Sequence, residues 1–320
     1  MATLALPGRD RRDPNLRDPG RSPGSRKFES RRVVQSLLRT SPLVPAVVLL
    51  LLFLAGPIVY SLYGSLTNAS LTGPKAAQPD FVGFDNYAQL LDNPQFWKSL
   101  VLTLVFVIAS ALIGQNLLGM ALALLMKAAH GPVRAVVSTV VVVSWVLPEI
   151  VAAFALYAFF ASDGTLNIML GWLGVEGRAW LIVLPMLAVI LANVWRGTAF
   201  SMMVYSAALN DVPPEITEAA QIDGASGWQR FSRITVPMIR RSISTNLMLT
   251  TLQTLGVFTL IWVMTGGGPG VESSTLPVLA YQEAFKFSQV GYGTAIATVT
   301  LVLGGLFAIV YIKALKPEVD

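Results

Sequence analysis

Long apolar runs alternate along the chain with short polar connections. A helix that crosses the hydrocarbon core of a bilayer takes about 20 apolar residues, whereas a membrane barrel shows alternating segments of about ten residues. The runs are of the first kind, and they cover residues 43–63, 99–126, 135–161, 180–205, 242–264 and 290–312. The pattern predicts an all-α membrane protein with six spans, two of which contain an internal ionisable residue, Glu149 and Arg196.

The composition agrees with a membrane protein and narrows the possible chemistry. Of the 320 residues, 54% are hydrophobic and 13% are charged, against about a quarter charged in soluble domains. The chain has no cysteine, which excludes disulfides and thiolate catalysis, and its single histidine, His130, lies in a short polar turn. Catalysis or metal binding through these residue types is therefore not expected.

Basic residues are distributed unevenly over the connections. Eighteen of the 23 Lys and Arg residues fall in residues 1–40 and in the connections on the same predicted side. Arg196, in the span that leads to one of these connections, makes nineteen, and four fall on the other side. Because basic loops stay in the cytoplasm, we expect both termini there. Residues 1–40 are predicted to be a disordered basic tail that contacts lipid headgroups rather than nucleic acid. We expect residues 41–316 to form the membrane domain and residues 317–320 to form a short cytoplasmic end.

The connection after the fourth span, residues 211–237, is polar and reads DVPPEITEAAQIDGASGWQRFSRITVP. It predicts a short helix capped by Asp211, a stop at Gly224 and a second short helix capped by Ser226. The second helix carries an apolar stripe through Trp228, Phe231 and Ile234. Such a segment either docks in a groove of a soluble partner or lies at the membrane interface as an amphipathic hairpin, and its residues leave both open.

The same segment resembles the EAA loop of permease subunits in binding-protein-dependent ABC importers, at Glu218, Ala219, Ala220, Gly224, Ile234 and Pro237. Val236 departs from the family pattern, which usually has leucine there, but it is still apolar. The resemblance implies a six-span type I ABC importer transmembrane domain whose cytoplasmic coupling helix docks in a cleft of an ATPase subunit. The residues expected to make this contact are Glu215, Glu218, Ala219, Ala220, Asp223, Gly224, Trp228 and Phe231.

Three further stretches are similar to the sugar-permease branch of that family: TGGGP at 265–269, AF at 284–285 and GYGTAIA at 291–297. They resemble the F-type subunits of maltose-like and glycerol-phosphate-like importers. No lysine of a phosphate-binding loop follows the glycines, so we expect a tight turn there and ATP hydrolysis on another polypeptide. The resemblance implies a transport subunit that is not an enzyme and has no cofactor of its own. The family implies a second homologous permease, an ATPase dimer that binds ATP and Mg, and an extracytoplasmic sugar-binding protein as partners.

Four polar side chains within the spans are predicted to lie at a similar depth: Glu149, Asn193, Arg196 and Gln253. At about 1.5 Å per residue they fall roughly 18–26 Å above the cytoplasmic helix ends. Such a belt suits a hydroxyl-rich ligand, because polar residues inside membrane spans usually face an interior cavity. The resemblance to maltose-type permeases implies sugar contacts at the same belt and adds Trp145, Gly197, Thr254 and Val257.

Other roles for the belt are open at this point. Glu149 and Arg196 depart from the neutral residues that the family suggests there, and they could form a structural ion pair. Asn193 and Gln253 could serve only as hydrogen bonds between helices, and Trp145 could serve as packing.

Together with the polar belt, the resemblance implies a permease subunit in the inner membrane that forms half of the path for a sugar, and we expect a disaccharide such as trehalose or maltose. A glycerol-phosphate importer would use Arg196 for the phosphate, but Glu149 beside it disfavours a dianion. An ion-driven secondary transporter would leave the EAA loop unexplained. A membrane-embedded transferase would need clustered acids or histidines, and the spans offer one acid, Glu149.

Overall fold

Helices make up nearly all the regular structure of the computed structural model, which describes residues 43–315. The predicted tail over 1–40 and the predicted end over 317–320 lie outside the described residues. Within the described part no strand forms, and one isolated bridge joins Thr67 to Phe81. The all-α class is therefore confirmed.

The helices are numbered here in chain order. They are α1 Leu43–Gly64, α2 Asp85–Asp92, α3 Pro94–Ala128, α4 Gly131–Val146, α5 Glu149–Phe160, α6 Thr165–Trp172, α7 Pro185–Asn210, α8 Pro214–Ile222, α9 Gly227–Arg230, α10 Arg240–Leu255, α11 Thr259–Thr265, α12 Leu276–Tyr281 and α13 Val290–Leu315. Single helical turns lie at Pro74–Ala77, Trp180–Val183 and Val236–Met238. Helical turns of the wider π type lie at Leu51–Ala55, Val107–Gln115, Phe231–Thr235 and Gln282–Lys286.

The third predicted span, residues 135–161, is not one continuous helix. It divides into α4 and α5, and Leu147 and Pro148 have extended backbone angles between them. Proline lacks an amide hydrogen and disfavours helical geometry at the residue before it, which accounts for the break. Glu149 therefore begins a helix instead of lying inside one, and its carboxylate is placed at the positive end of the α5 dipole.

The fourth and fifth predicted spans also differ from the structure. The helix of the fourth predicted span is α7, and it begins at Pro185 rather than at residue 180. The fifth span consists of α10 and α11, which are bent by 49° at the connection over residues 256–258. By length and apolar composition, five helical segments of the described chain could cross a membrane, or six if this bent pair counts as one.

Residues 60–315 pack around α7, and residues 43–59 belong to a separate unit, in which the side chains are exposed or half-buried. In the larger unit, α7 lies along α3 and also contacts α4, α10 and α11, while α5 pairs with α11 and α10 with α13. Apolar side chains form three clusters, which we name by one member each: the Ile261, Tyr205 and Leu279 clusters.

The close approach of α3 and α7 depends on Gly119. A Cβ atom at this residue would lie 2.4 Å from Ser201 Cβ and 3.0 Å from the backbone nitrogen of Met202. We expect Gly119→Ala to lower the free energy of unfolding by about 1–3 kcal/mol, as in other overpacked cores, and to lower the thermal midpoint in detergent. Gly305→Ala on α13 is the matched control, because nothing lies within 4 Å of its Cβ position. Equal midpoints for the two variants would contradict this prediction.

Candidate functional site

All eight side chains and backbone positions predicted for the substrate belt line one cavity of about 370 Å³. The cavity lies where α3, α4, α5, α7 and the bent pair α10 and α11 meet. Its lining consists of Trp145, Glu149, Asn193, Arg196, Gly197, Gln253, Thr254 and Val257, together with Gln115 and Gly256. We call this space the central cavity. The last two residues were absent from the prediction.

Glu149 joins two broken elements at the central cavity. Its Oε1 atom accepts a hydrogen bond of 3.1 Å from the backbone amide of Leu260 in the first turn of α11. Amides in a first helical turn have no partner within their own helix, so the carboxylate caps α11 from a distant part of the chain. The Oε2 atom faces Arg196, and the distance to its Nη1 atom is 4.0 Å.

The ion pair between Glu149 and Arg196 is a single long contact. A paired arginine and carboxylate often form two parallel hydrogen bonds, and this pair does not. The side chains are 30% and 25% exposed, respectively, so both reach the cavity surface. The Nε atom of Arg196 is buried and has no hydrogen-bond partner among the described residues. The guanidinium therefore has donor capacity that Glu149 does not use.

The amide of Asn193 holds three helices together. Its Nδ2 atom donates to Ser110 Oγ at 2.9 Å and to Thr254 Oγ1 at 3.3 Å. Gln115 on α3 donates to the backbone oxygen of Asn193 at 3.1 Å. Asn193 is buried, so these bonds match the alternative in which it links helices, while Gln253 is exposed on the cavity wall.

Position 197 has room only for a glycine, because Gln115 occupies the space where a side chain would lie. A Cβ atom at Gly197 would be 2.3 Å from Gln115 Cδ. The adjacent polar pair Gln115 and Asn116 in a long apolar run was the sequence signal that could have pointed to Gln115 as a wall residue.

Trp145 lines another part of the central cavity. Its ring lies 5.9 Å from that of Phe200, and the residue is 36% exposed, so part of the ring remains open.

We call residues 213–238 the coupling segment, after the role that the resemblance to the EAA loop implies. The first predicted helix, α8, begins at Pro214, and its N-cap is Pro213, so the predicted cap at Asp211 is wrong because that residue ends α7. Gly224 has a φ of +83°, the left-handed conformation predicted for a glycine stop. Ser226 caps α9, as predicted, in a reciprocal capping box with Gln229.

The coupling segment protrudes from the helical unit. Its two neighbours, Val212 and Ile239, are buried in the Tyr205 cluster, whereas no residue between them is buried. Glu218 is exposed, and two apolar side chains stand open, with Ile222 at 87% and Trp228 at 73% exposure. An anchored segment with open apolar and acidic side chains is suited to contact with another protein.

The chain matches known transport proteins over most of its length. Residues 115–320 match the model for the binding-protein-dependent transport system inner membrane component. Two relatives are each 32% identical: the sulfoquinovosyl glycerol permease SmoG of Agrobacterium fabrum, with 88% of this chain and 91% of the relative covered, and the trehalose/maltose permease MalF of Thermococcus litoralis, with 85% and 91%.

A solved structure shows the same fold. It is a bacterial ABC transporter involved in the import of the acidic polysaccharide alginate, with a TM-score of 0.76 at 23% identity, and the match covers 90% of this chain and 100% of that chain. The predicted resemblance to permeases of ABC importers is therefore confirmed at the level of the family. The chain belongs to the binding-protein-dependent transport system inner membrane components, and it is a transport subunit rather than an enzyme.

Proposed function

We propose that the chain is a permease subunit of an ATP-driven sugar importer and forms half of the path for a disaccharide such as trehalose or maltose. The observation that carries the proposal is the convergence of all eight predicted belt positions on the central cavity. The wall combines donors, acceptors and a partly open indole ring, which suits the hydroxyl groups and ring faces of a sugar. Relatives named for trehalose and maltose transport support this class of substrate.

Within the central cavity, Arg196 donates to sugar hydroxyl oxygens and Glu149 accepts from sugar hydroxyl groups. Because Glu149 also caps α11, its position is preset before the sugar arrives. Gln253 contributes an exposed amide, and Trp145 stacks against a ring face. Glycerol phosphate fits less well, because the carboxylate of Glu149 faces Arg196, the one cation that residues 43–315 contribute to the lining.

The remaining parts of the proposal concern assembly and orientation. The chain crosses the inner membrane six times with both termini in the cytoplasm, and the coupling segment docks on an ATPase dimer that binds ATP and Mg. A second homologous permease completes the path, and an extracytoplasmic binding protein delivers the sugar. The family assignment supports these partners, and a related alginate transporter is known in complex with a periplasmic protein that holds an alginate pentasaccharide.

The chain's own part in transport is mechanical. Val212 and Ile239 anchor the coupling segment in the Tyr205 cluster, which also contains side chains of α3 and α7. Asn193 and Arg196 lie on α7, whose last residue is Asn210, so one rigid helix links the coupling segment to the central cavity. Closure of the ATPase around the segment then shifts the balance between two arrangements of the helices.

Reconstitution of the whole complex tests the proposed function. The chain is co-expressed with its partner permease, ATPase and binding protein, and uptake of radiolabelled trehalose and maltose into proteoliposomes is measured. We expect uptake to require hydrolysable ATP and the binding protein, and to persist when ionophores abolish ion gradients. Uptake by the chain alone under an ion gradient, with no ATPase, would show that the importer assignment is wrong.

A further inference from the structure

A second, larger cavity of about 550 Å³ lies where α5 and α11 end. Its polar lining comes from Tyr157, Ser162, Asp163 and Thr265, and the turn at Gly268 and Pro269 closes one side. In the proposed orientation this end of the helices faces the outside, so we call the space the outer vestibule. Its volume is in the range of small-molecule sites.

The outer vestibule and the central cavity lie in line along α5. Glu149, Ala153, Tyr157 and Phe160 recur every three or four residues, so they share one face of the helix. Glu149 lines the central cavity and Tyr157 lines the vestibule, and eight residues of helical rise separate them by about 12 Å. Ala153 lies between them, buried in the Ile261 cluster against α11.

One amide braces two walls of the vestibule. Asn167 on α6 donates to the backbone oxygens of Ser162 at 2.9 Å and of Arg178 at 2.8 Å. Its Oδ1 atom accepts from the Arg178 amide at 3.1 Å and from Trp180 Nε1 at 2.8 Å. The hydrogen bonds of Asn167 therefore connect the turn that carries Ser162 and Asp163 to the segment over residues 178–182, which lines the other wall.

The turn after α11 braces the opposite wall. Gly266 and Gly267 have φ values of +63° and +87°, as the predicted tight turn requires. The Ser273 hydroxyl lies 2.8 Å from Thr265 Oγ1 and donates to the backbone oxygen of Gly268 at 3.0 Å. Gln282 donates to the backbone oxygen of Gly266 at 3.0 Å. Both walls are thus held in place by hydrogen bonds, which favours binding because little ordering remains to be done.

The charge of the lining restricts the ligand. Asp163 is the one charged residue among the described residues that line the vestibule, and no Lys, Arg or His lines it. A carboxylate accepts hydrogen bonds from hydroxyl groups and repels phosphate, sulfonate and carboxylate groups. The ring of Tyr157, which is 47% exposed, offers an apolar face beside it.

We propose that the outer vestibule is a second sugar-binding site, which takes the neutral sugar before it enters the central cavity and disfavours anionic sugars. This assignment rests on the proposed function and adds a selection step to it. Asp163 accepts hydroxyl hydrogen bonds, and Tyr157 contacts the sugar ring.

The test uses the complete reconstituted complex and compares trehalose with trehalose 6-phosphate. We expect Asp163→Asn to raise the KM for trehalose uptake about fivefold at an unchanged maximal rate, because one of the two acceptor oxygens becomes an NH2 group and the hydrogen bond that it accepted is lost. The same variant should make trehalose 6-phosphate a better inhibitor, because the repelling charge is gone. Tyr157→Leu should also raise the KM. The matched control is Asp92→Asn, since Asp92 is exposed and does not line the vestibule.

The binding protein is the same in every assay, so differences between variants arise in this chain. Unchanged KM values for both vestibule variants, with normal wild-type uptake, would overturn the second site alone. Weaker sugar-free association of the binding protein with both variants, measured by surface plasmon resonance, would also overturn it and would identify a protein-docking surface. Failure of the wild-type complex to take up trehalose with ATP would instead overturn the proposed function.

Discussion

Glu218→Lys is expected to abolish sugar-stimulated ATP hydrolysis by the assembled importer. Glu218 is exposed on α8, in a segment whose other open side chains include Ile222 and Trp228. A lysine at this position reverses the charge at the proposed ATPase contact. Like or unpaired charges at an interface weaken binding by several kcal/mol. The measurement is ATPase activity of the reconstituted complex with and without the sugar-loaded binding protein.

The control for this variant is Glu176→Lys, which makes the same charge change at an exposed loop residue outside the coupling segment. It should leave stimulated hydrolysis intact. The thermal midpoint of the Glu218→Lys subunit should also be unchanged, because the residue is exposed and forms no part of an apolar cluster. Normal stimulation in Glu218→Lys would contradict the assignment of the coupling segment.

Arg196→Ala is expected to lower sugar uptake roughly tenfold or more while basal ATP hydrolysis stays intact. Its guanidinium reaches the central cavity, and hydrogen bonds to a charged group are worth about 1.5–3 kcal/mol. The ion pair with Glu149 is a single 4.0 Å contact between partly exposed side chains, so its loss should cost little stability. The measurements are uptake into proteoliposomes and the thermal midpoint.

Two further variants separate substrate binding from a structural ion pair. Glu149→Gln removes the charge but keeps an oxygen that can accept from the Leu260 amide, so α11 should stay capped. If the pair is only structural, Glu149→Gln and Arg196→Ala should lower the thermal midpoint alike and affect uptake alike. Arg241→Ala, at an exposed residue near the start of α10 that lines neither cavity, is the matched control and should leave both measurements unchanged.

The central cavity was predictable in part because helical rise is regular. Arg196 and Gln253 lie on separate helices, and counting along each helix places them at one depth. Glu149 lines the same cavity although its predicted span breaks at Pro148. Gln115 was missed because the polar pair that it forms with Asn116 marks two polar positions in an apolar run but does not reveal which of them faces the cavity. The cap that Glu149 forms on α11 was also missed, since its partner is a backbone amide, and backbone amides carry no sequence signal.

The sequence by itself determined the membrane class, the approximate helical segments, the coupling segment with its glycine stop at Gly224, and the family. These features depend on local properties, namely the length of apolar runs, capping residues and short motifs. Only the tertiary structure decided that the third span breaks at Pro148, that Glu149 bridges α5 and α11, and that a second cavity lies beyond the first. These features depend on contacts between residues far apart in the chain, and such contacts form only when the helices pack together.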